Sequence, residues 1–322
     1  MLPEGSHVFP FFSDFSVNKH IYIYSPSGAV RDKAAFKRGV KRLQSMGHEV
    51  ELDPDALASE QRFAGNNTTR ISAIQRAAGS GADVAMMSRG GYGLTRILSG
   101  INYKALDKAT QRGTQFVGLS DFTALQLALL SKTGTTTWAG PALCEGFGGV
   151  DEPDDIMLDC FNDLLLGRGE GTGWRQSPGL ALKKVDYHVK DAPLWGGNLT
   201  VLTSLVGTPY FPAISGGILF LEDVAEHPYR IERMLTHLLH AGVLKAQKAI
   251  VLGQFTEYQL TPHDKGFQFQ SVVNWLRSQL KIPVLTNLPF GHVQTKVLLP
   301  SGASVDLVVQ GRDALILWGD TV

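Results

Sequence analysis

The chain has 322 residues, 43% of them hydrophobic, and 30 Lys plus Arg against 30 Asp plus Glu, so its formal net charge is zero. That length and apolar content can fill one large or two ordinary domains, and the balanced charge offers no general attraction for nucleic acid or an acidic membrane surface. The opening MLPEGSHVFPFFSDFSVNKH has no basic segment leading into an apolar one, and no stretch reaches 18 uninterrupted apolar residues; neither a secretory leader nor a membrane span is expected, and the expected location is cytoplasmic.

In chain order, HIYIYS reads as a strand, followed by a helix over Lys33 to Ser45 that ends near Gly47, then a second strand, HEVEL. A helix over Arg70 to Ala78 precedes the strand DVAMMS. A short helix near Leu94, the strand QFVGL, a helix after Ser120 and the strand TTTWAG follow. This alternation predicts a parallel sheet covered by helices, with functional groups at the carboxyl ends of its strands, where Ser25, Arg89 and Ser120 fall.

Residues 146–178 are irregular, with EGFGGVDEPDD and GRGEGTG flanking the helical run IMLDCFNDLLL, and read as a linker. Beyond them LALKKVDYHV and GGILFLED are expected strands, with another near Val284. TKVLLPSGASVDLVV has apolar runs joined by a Pro-Ser-Gly turn, and QGRDALIL adds a further strand after a Gly turn, which predicts an antiparallel meander. Helices are expected near 229–243 and 268–280. The predicted organisation is therefore an α/β domain over 1–145 with a parallel sheet, then a β-rich α+β domain over 179–322.

Ser120 is the candidate nucleophile. It stands on a sharp turn between the strand ending at Gly118 and the following helix, where backbone N–H groups beginning with Asp121 lack intrahelical partners and can stabilise an oxyanion. The turn resembles a nucleophile elbow, although GLSDF lacks the second glycine of G-x-S-x-G; a helix-capping serine fits the same segment. Glu222 closes the apolar run of GGILFLED, and His292 sits in a loop in LPFGHV. A hydroxyl, a base and an acid that orients the base compose a possible triad, which chain spacing alone does not assemble.

These stretches, together with IYIYSPSGAV, RFAGNNTTR, MSRGGYGLTRIL, WGGNLTVL and GGILFLEDVAEHPYRIERML, resemble the LD-carboxypeptidases, a family of serine peptidases, in the family's order from about residue 21 to 292. The resemblance implies Ser120 as nucleophile, Glu222 as acid and His292 as base, with backbone amides near Gly91 and at Asp121 as the oxyanion hole. It implies release of a C-terminal D-alanine from a murein tetrapeptide in cell-wall recycling, by a homodimer, without a cofactor. A related branch instead hydrolyses a peptide-nucleotide antibiotic of the microcin C type. Ser88 and Leu119 depart from the residues common there, alanine and an aromatic. A two-lobed protein that binds a peptide or nucleotide without turnover is the non-enzyme alternative.

Other residues carry two readings each. RGGYG, at Arg89 to Gly93, suits backbone approach to a substrate carbonyl or a plain tight turn, and lacks the glycine and lysine of nucleotide-phosphate motifs. Arg89 and Tyr92 in that loop are candidate substrate contacts. Arg230 and Arg233 are candidate clamps for a substrate carboxylate, or surface partners of Glu226 and Glu232. Trp195 lines the cleft or fills the core. His237 and His240 lie three apart on one helix without the motif of a metal site, and no metal is expected. Cys144 and Cys160 are too few for a disulfide framework, in keeping with a reducing compartment.

Overall fold

The computed structural model describes residues 18–180 and 186–319. Strands and helices alternate through the first part: β1 (His20–Tyr24), α1 (Lys33–Ser45), β2 (Glu49–Leu52), α2 (Asn67–Gly79), β3 (Val84–Met87), α3 (Tyr103–Gln111), β4 (Gln115–Gly118), α4 (Thr123–Thr133) and β5 (Thr137–Ala139). Side-chain caps set the helix starts. Asp32 accepts from the amides of Ala34 and Ala35, and Asn66 from that of Thr69. β1 to β5 pair in parallel in the order β5-β4-β3-β1-β2. The central strands are buried on both faces, as a parallel sheet between helix layers requires.

The second part contains α5 (Asp155–Leu166), β6 (Gly171–Arg175), β7 (Tyr187–Asn198), α6 (Leu199–Ser204), β8 (Ile218–Val224), α7 (Pro228–His240), β9 (Ala249–Thr256), α8 (Phe269–Gln279), β10 (Val284–Leu285), β11 (Leu299–Ser301), β12 (Ser304–Gln310) and β13 (Asp313–Leu317). Seven of these strands form a mixed sheet in the order β10-β9-β8-β7-β12-β13-β6. β7 to β10 run parallel to one another, whereas β12 pairs antiparallel with β7, β13 with β12 and β6 with β13.

The β-rich second half thus differs from the expected meander in three ways. The Pro-Ser-Gly turn does not close a hairpin, because β11 pairs antiparallel with β5 of the first sheet while β12 joins the second. The segment read as a linker carries α5, which buries Met157, Phe161, Leu164 and Leu165, and β6, which pairs with β13 from Gly171↔Leu317 to Arg175↔Asp313. The strand expected over LALKKVDYHV starts at Tyr187 and runs on through Trp195 to Asn198; residues 181–185 lie outside the described residues.

Helix α4 lies where the two sheets meet, in contact with α3, α6 and β7. Every residue from Thr123 to Leu129 is buried. A helix apolar on all sides has to be enclosed, and enclosure fixes its first turn, hence Ser120, at the junction. Packing is continuous across that junction, since one cluster joins Phe122, Leu125 and Leu129 to Trp195, Leu219 and Ile231.

Candidate active site

Ser120 is separated from β4 by Leu119 and opens a single 3-10 turn that leads into α4. Its φ is +65°, a left-handed conformation that costs an L-residue roughly 1–2 kcal/mol. Close packing sustains it. A Cβ at Gly118 would lie 2.5 Å from the Phe122 ring and 2.6 Å from the Met87 sulfur, so the residue two before the serine has to be glycine. A Cβ at Gly90 would lie 2.7 Å from Ser120 Cβ and 2.9 Å from its Oγ; the RGGYG backbone therefore presses directly on the hydroxyl. Gly91 follows with φ +115°.

The Asp121 side chain locks these pieces together. It is 1% exposed and accepts from the Ser27 hydroxyl and from the Leu94 amide at 2.9 Å. Burial pushes its carboxyl above the ordinary range, against the Ser27 hydrogen bond, the Leu94 and Gly93 amides and the Arg70 charge. One buried carboxylate thus ties the loop after β1, the glycine loop and the serine turn into a unit.

Glu222 stands on β8, fully buried, and its Oε2 accepts from His292 Nδ1 at 2.8 Å. An ionised carboxylate only accepts, so Nδ1 carries the proton and Nε2 keeps its lone pair. Burial alone lowers the basicity of His292, but the hydrogen bond and charge of Glu222, with Asp223 and Glu145, outweigh it and raise the pKa. Asn198, at the end of β7, donates from Nδ2 to Glu222 Oε1 at 3.1 Å and to Asp223 Oδ1 at 2.9 Å. Its own backbone N–H donates to Thr123 Oγ1 at 2.9 Å. One chain of contacts therefore runs from the first residue of α4, behind Ser120, through Asn198 to Glu222 and His292. Burial, then repulsion from Glu222, pushes Asp223 up to about 6.

A charged wall adjoins the histidine. Arg89, its side chain 15% exposed, approaches Glu145 at 3.9 Å and donates to the Ala29 carbonyl at 3.3 Å. Tyr92 is 46% exposed and packs 5.9 Å from the Phe63 ring. Trp195 is a core residue and not a cleft residue. It is fully buried, donates to Gln247 Oε1 at 3.0 Å and meets Phe211 edge-on. Arg230 and Arg233 lie on the exposed side of α7, where Arg230 is occupied by Glu226 at 3.7 Å and by the Tyr229 hydroxyl. His237 and His240 share that exposed side. Among the described residues no group of three or more His, Cys, Asp or Glu is placed to hold a metal ion.

Sequence reasoning missed Asn198, Asp223, Gly90, Asp121 as a side chain, and Lys296. Asn198 had a legible signal: a polar residue closing WGGN just before LTVL is a helix cap, and its Oδ1 does accept from Val201 N.

Residues 21–140 match the LD-carboxypeptidase N-terminal domain and residues 191–307 the C-terminal domain. The chain belongs to the LD-carboxypeptidase family. A crystal structure of muramoyltetrapeptide carboxypeptidase from Oxalobacter formigenes is 39% identical, superposes with a TM-score of 0.81, and covers 93% of this chain and 98% of its own. The murein tetrapeptide carboxypeptidase of Pseudomonas aeruginosa is 26% identical, over 90% of this chain and 94% of its own length. The microcin C7 self-immunity protein MccF of Escherichia coli is 25% identical, over 91% and 90%.

Proposed function

We propose that this LD-carboxypeptidase-family protein is a serine peptidase that removes the C-terminal D-alanine from murein tetrapeptides. The observation that carries the reading is the Glu222–His292 hydrogen bond, joined through Asn198 to the base of the turn that holds Ser120 at φ +65°. Strained backbone is retained where function uses it, and a buried carboxylate on Nδ1 is what a histidine needs to act as base through Nε2.

In this mechanism Ser120 Oγ attacks the peptide carbonyl while His292 takes its proton. The amides of Gly91 and Asp121 receive the developing oxyanion. His292 then protonates the leaving amine, and a water activated by the same imidazole hydrolyses the acyl-enzyme. Glu222 fixes the tautomer and stabilises the imidazolium without itself taking the proton. The working setting is cytoplasmic recycling of murein peptides by a homodimer, which sedimentation of the purified protein would test.

Mass spectrometry of a murein tetrapeptide incubated with pure protein tests the activity. Loss of one alanine residue is expected. Binding without turnover would favour a ligand-binding role and contradict the proposal. The 25% identity to the microcin C7 self-immunity protein supports a second substrate, a peptide-nucleotide antibiotic of the microcin C type, to be run alongside.

A further inference from the structure

Lys296 lies four residues beyond His292, on the loop that joins β10 to β11. It is 2% exposed, yet its ammonium makes no ion pair or hydrogen bond among the described residues. So little exposed a cation is ordinarily paired directly with an anion. Three carboxylates act on it through space, those of Glu145, Asp154 and Glu222. Each is engaged elsewhere. Glu222 gives its two oxygens to His292 and Asn198. Asp154 accepts from the Met157 amide and the Thr295 hydroxyl. Glu145 faces Arg89. The fold has placed a largely buried cation among carboxylates that also act on His292, with no hydrogen-bonded partner among the described residues.

The chemistry of peptide cleavage says what that partner is. His292 has to hand a proton to the leaving nitrogen, so that nitrogen comes within hydrogen-bond reach of the imidazole. In a carboxypeptidase the carbon next to this nitrogen carries the terminal carboxylate, which therefore arrives on the histidine side of the scissile bond. Arg89, the other cation on that wall, is already committed to Glu145 and to the Ala29 carbonyl.

We propose that Lys296 binds the free carboxylate of the substrate's terminal residue and so makes the enzyme an exopeptidase. The assignment rests on the peptidase reading above. Burial lowers the basicity of Lys296, against the pull of Glu145, Asp154 and Glu222, and an incoming carboxylate favours the charged form further.

The test compares wild-type and Lys296→Met protein on a tetrapeptide with a free C-terminus and on its C-terminal amide. Methionine keeps the length and removes the charge, and Lys296→Gln serves if the first variant does not fold. A charge-assisted hydrogen bond of this kind corresponds to a loss of about tenfold to a hundredfold. The variant should lose that factor in kcat/KM on the acid, mainly through KM, while turnover of the amide changes less than threefold. A merely structural role would depress both substrates together. An unchanged preference for the acid overturns the proposal. If the wild-type protein hydrolyses neither peptide, the peptidase reading fails, and calorimetry on Ser120→Ala protein with and without Lys296→Met decides the lysine separately: equal affinity for acid and amide when Lys296 is present would refute its role.

Discussion

Replacing Glu222 by Gln isolates the orienting role proposed for the carboxylate, because the surroundings dictate how the new amide must lie. Asn198 presents its NH2 to Glu222 Oε1, and it cannot flip, since its own oxygen accepts from Val201 N and caps α6. The glutamine oxygen must therefore face Asn198, which puts the glutamine NH2 where Oε2 now accepts from His292 Nδ1 at 2.8 Å. A donor there selects the histidine tautomer with the proton on Nε2, the atom that takes the serine proton in the proposed mechanism. Loss of the correct tautomer in a triad costs about ten-thousandfold in rate, equivalent to about 5.4 kcal/mol of transition-state stabilisation. The assay is alanine release under kcat/KM conditions, with thermal unfolding as a control. A Glu222→Gln enzyme within tenfold of wild type would refute the orienting role. A variant that loses its fold with its activity would make Glu222 a structural partner of Asn198.

Ser120→Ala should abolish turnover, by about a millionfold on the scale of other triad nucleophiles, with the fold intact; Ser120→Gly should be equally inactive yet more stable than the Ala variant by about 1 kcal/mol, because glycine is free at φ +65°. Equal melting temperatures for the two would show that the turn is not strained. Gly90→Ala places a methyl 2.9 Å from Ser120 Oγ and should cost at least about a hundredfold in kcat, as measured by steady-state kinetics; near-normal activity would mean that the glycine loop does not set the hydroxyl. The acid limb of the kcat/KM profile should lie above 6.5, the ordinary histidine value, since Glu222 raises the His292 pKa and only neutral imidazole acts as base. The same shift contributes stability that is complete below pH 6.5 and is lost as pH rises through the folded pKa, so pH-dependent unfolding of wild type and His292→Gln should converge on the alkaline side.

The placement of Ser120, Glu222 and His292 at a strand end or a turn was legible because a periodic pattern breaks at each, and their proposed roles come from the family's motifs recurring in order. The parallel first sheet was legible for a related reason: buried strands such as VAMM read as unbroken apolar runs. What stayed hidden depends on long-range pairing. Nothing local marks LPS as an edge strand for the first sheet, or GTGWR as one for the second, since neither run alternates and both depend on partners more than a hundred residues distant. Trp195 was ambiguous in sequence because an indole suits a cleft or a core equally, and its full burial with a Gln247 partner for its N–H decides for the core. Lys296 was hidden by its composition, one cation entering an apolar run, which reads as a strand start until its burial is known.

The most direct measurement of the central claim is alanine release from two tetrapeptides that differ only in the configuration of the terminal residue. A triad explains why an amide is cut, but the contacts that hold the terminal carboxylate and methyl group choose the bond. Wild-type protein should release D-alanine from the natural epimer and leave the L-alanine epimer intact, and Ser120→Ala protein should release neither. Equal cleavage of both epimers, cleavage of the L form alone, or D-alanine release that survives Ser120→Ala would contradict the account.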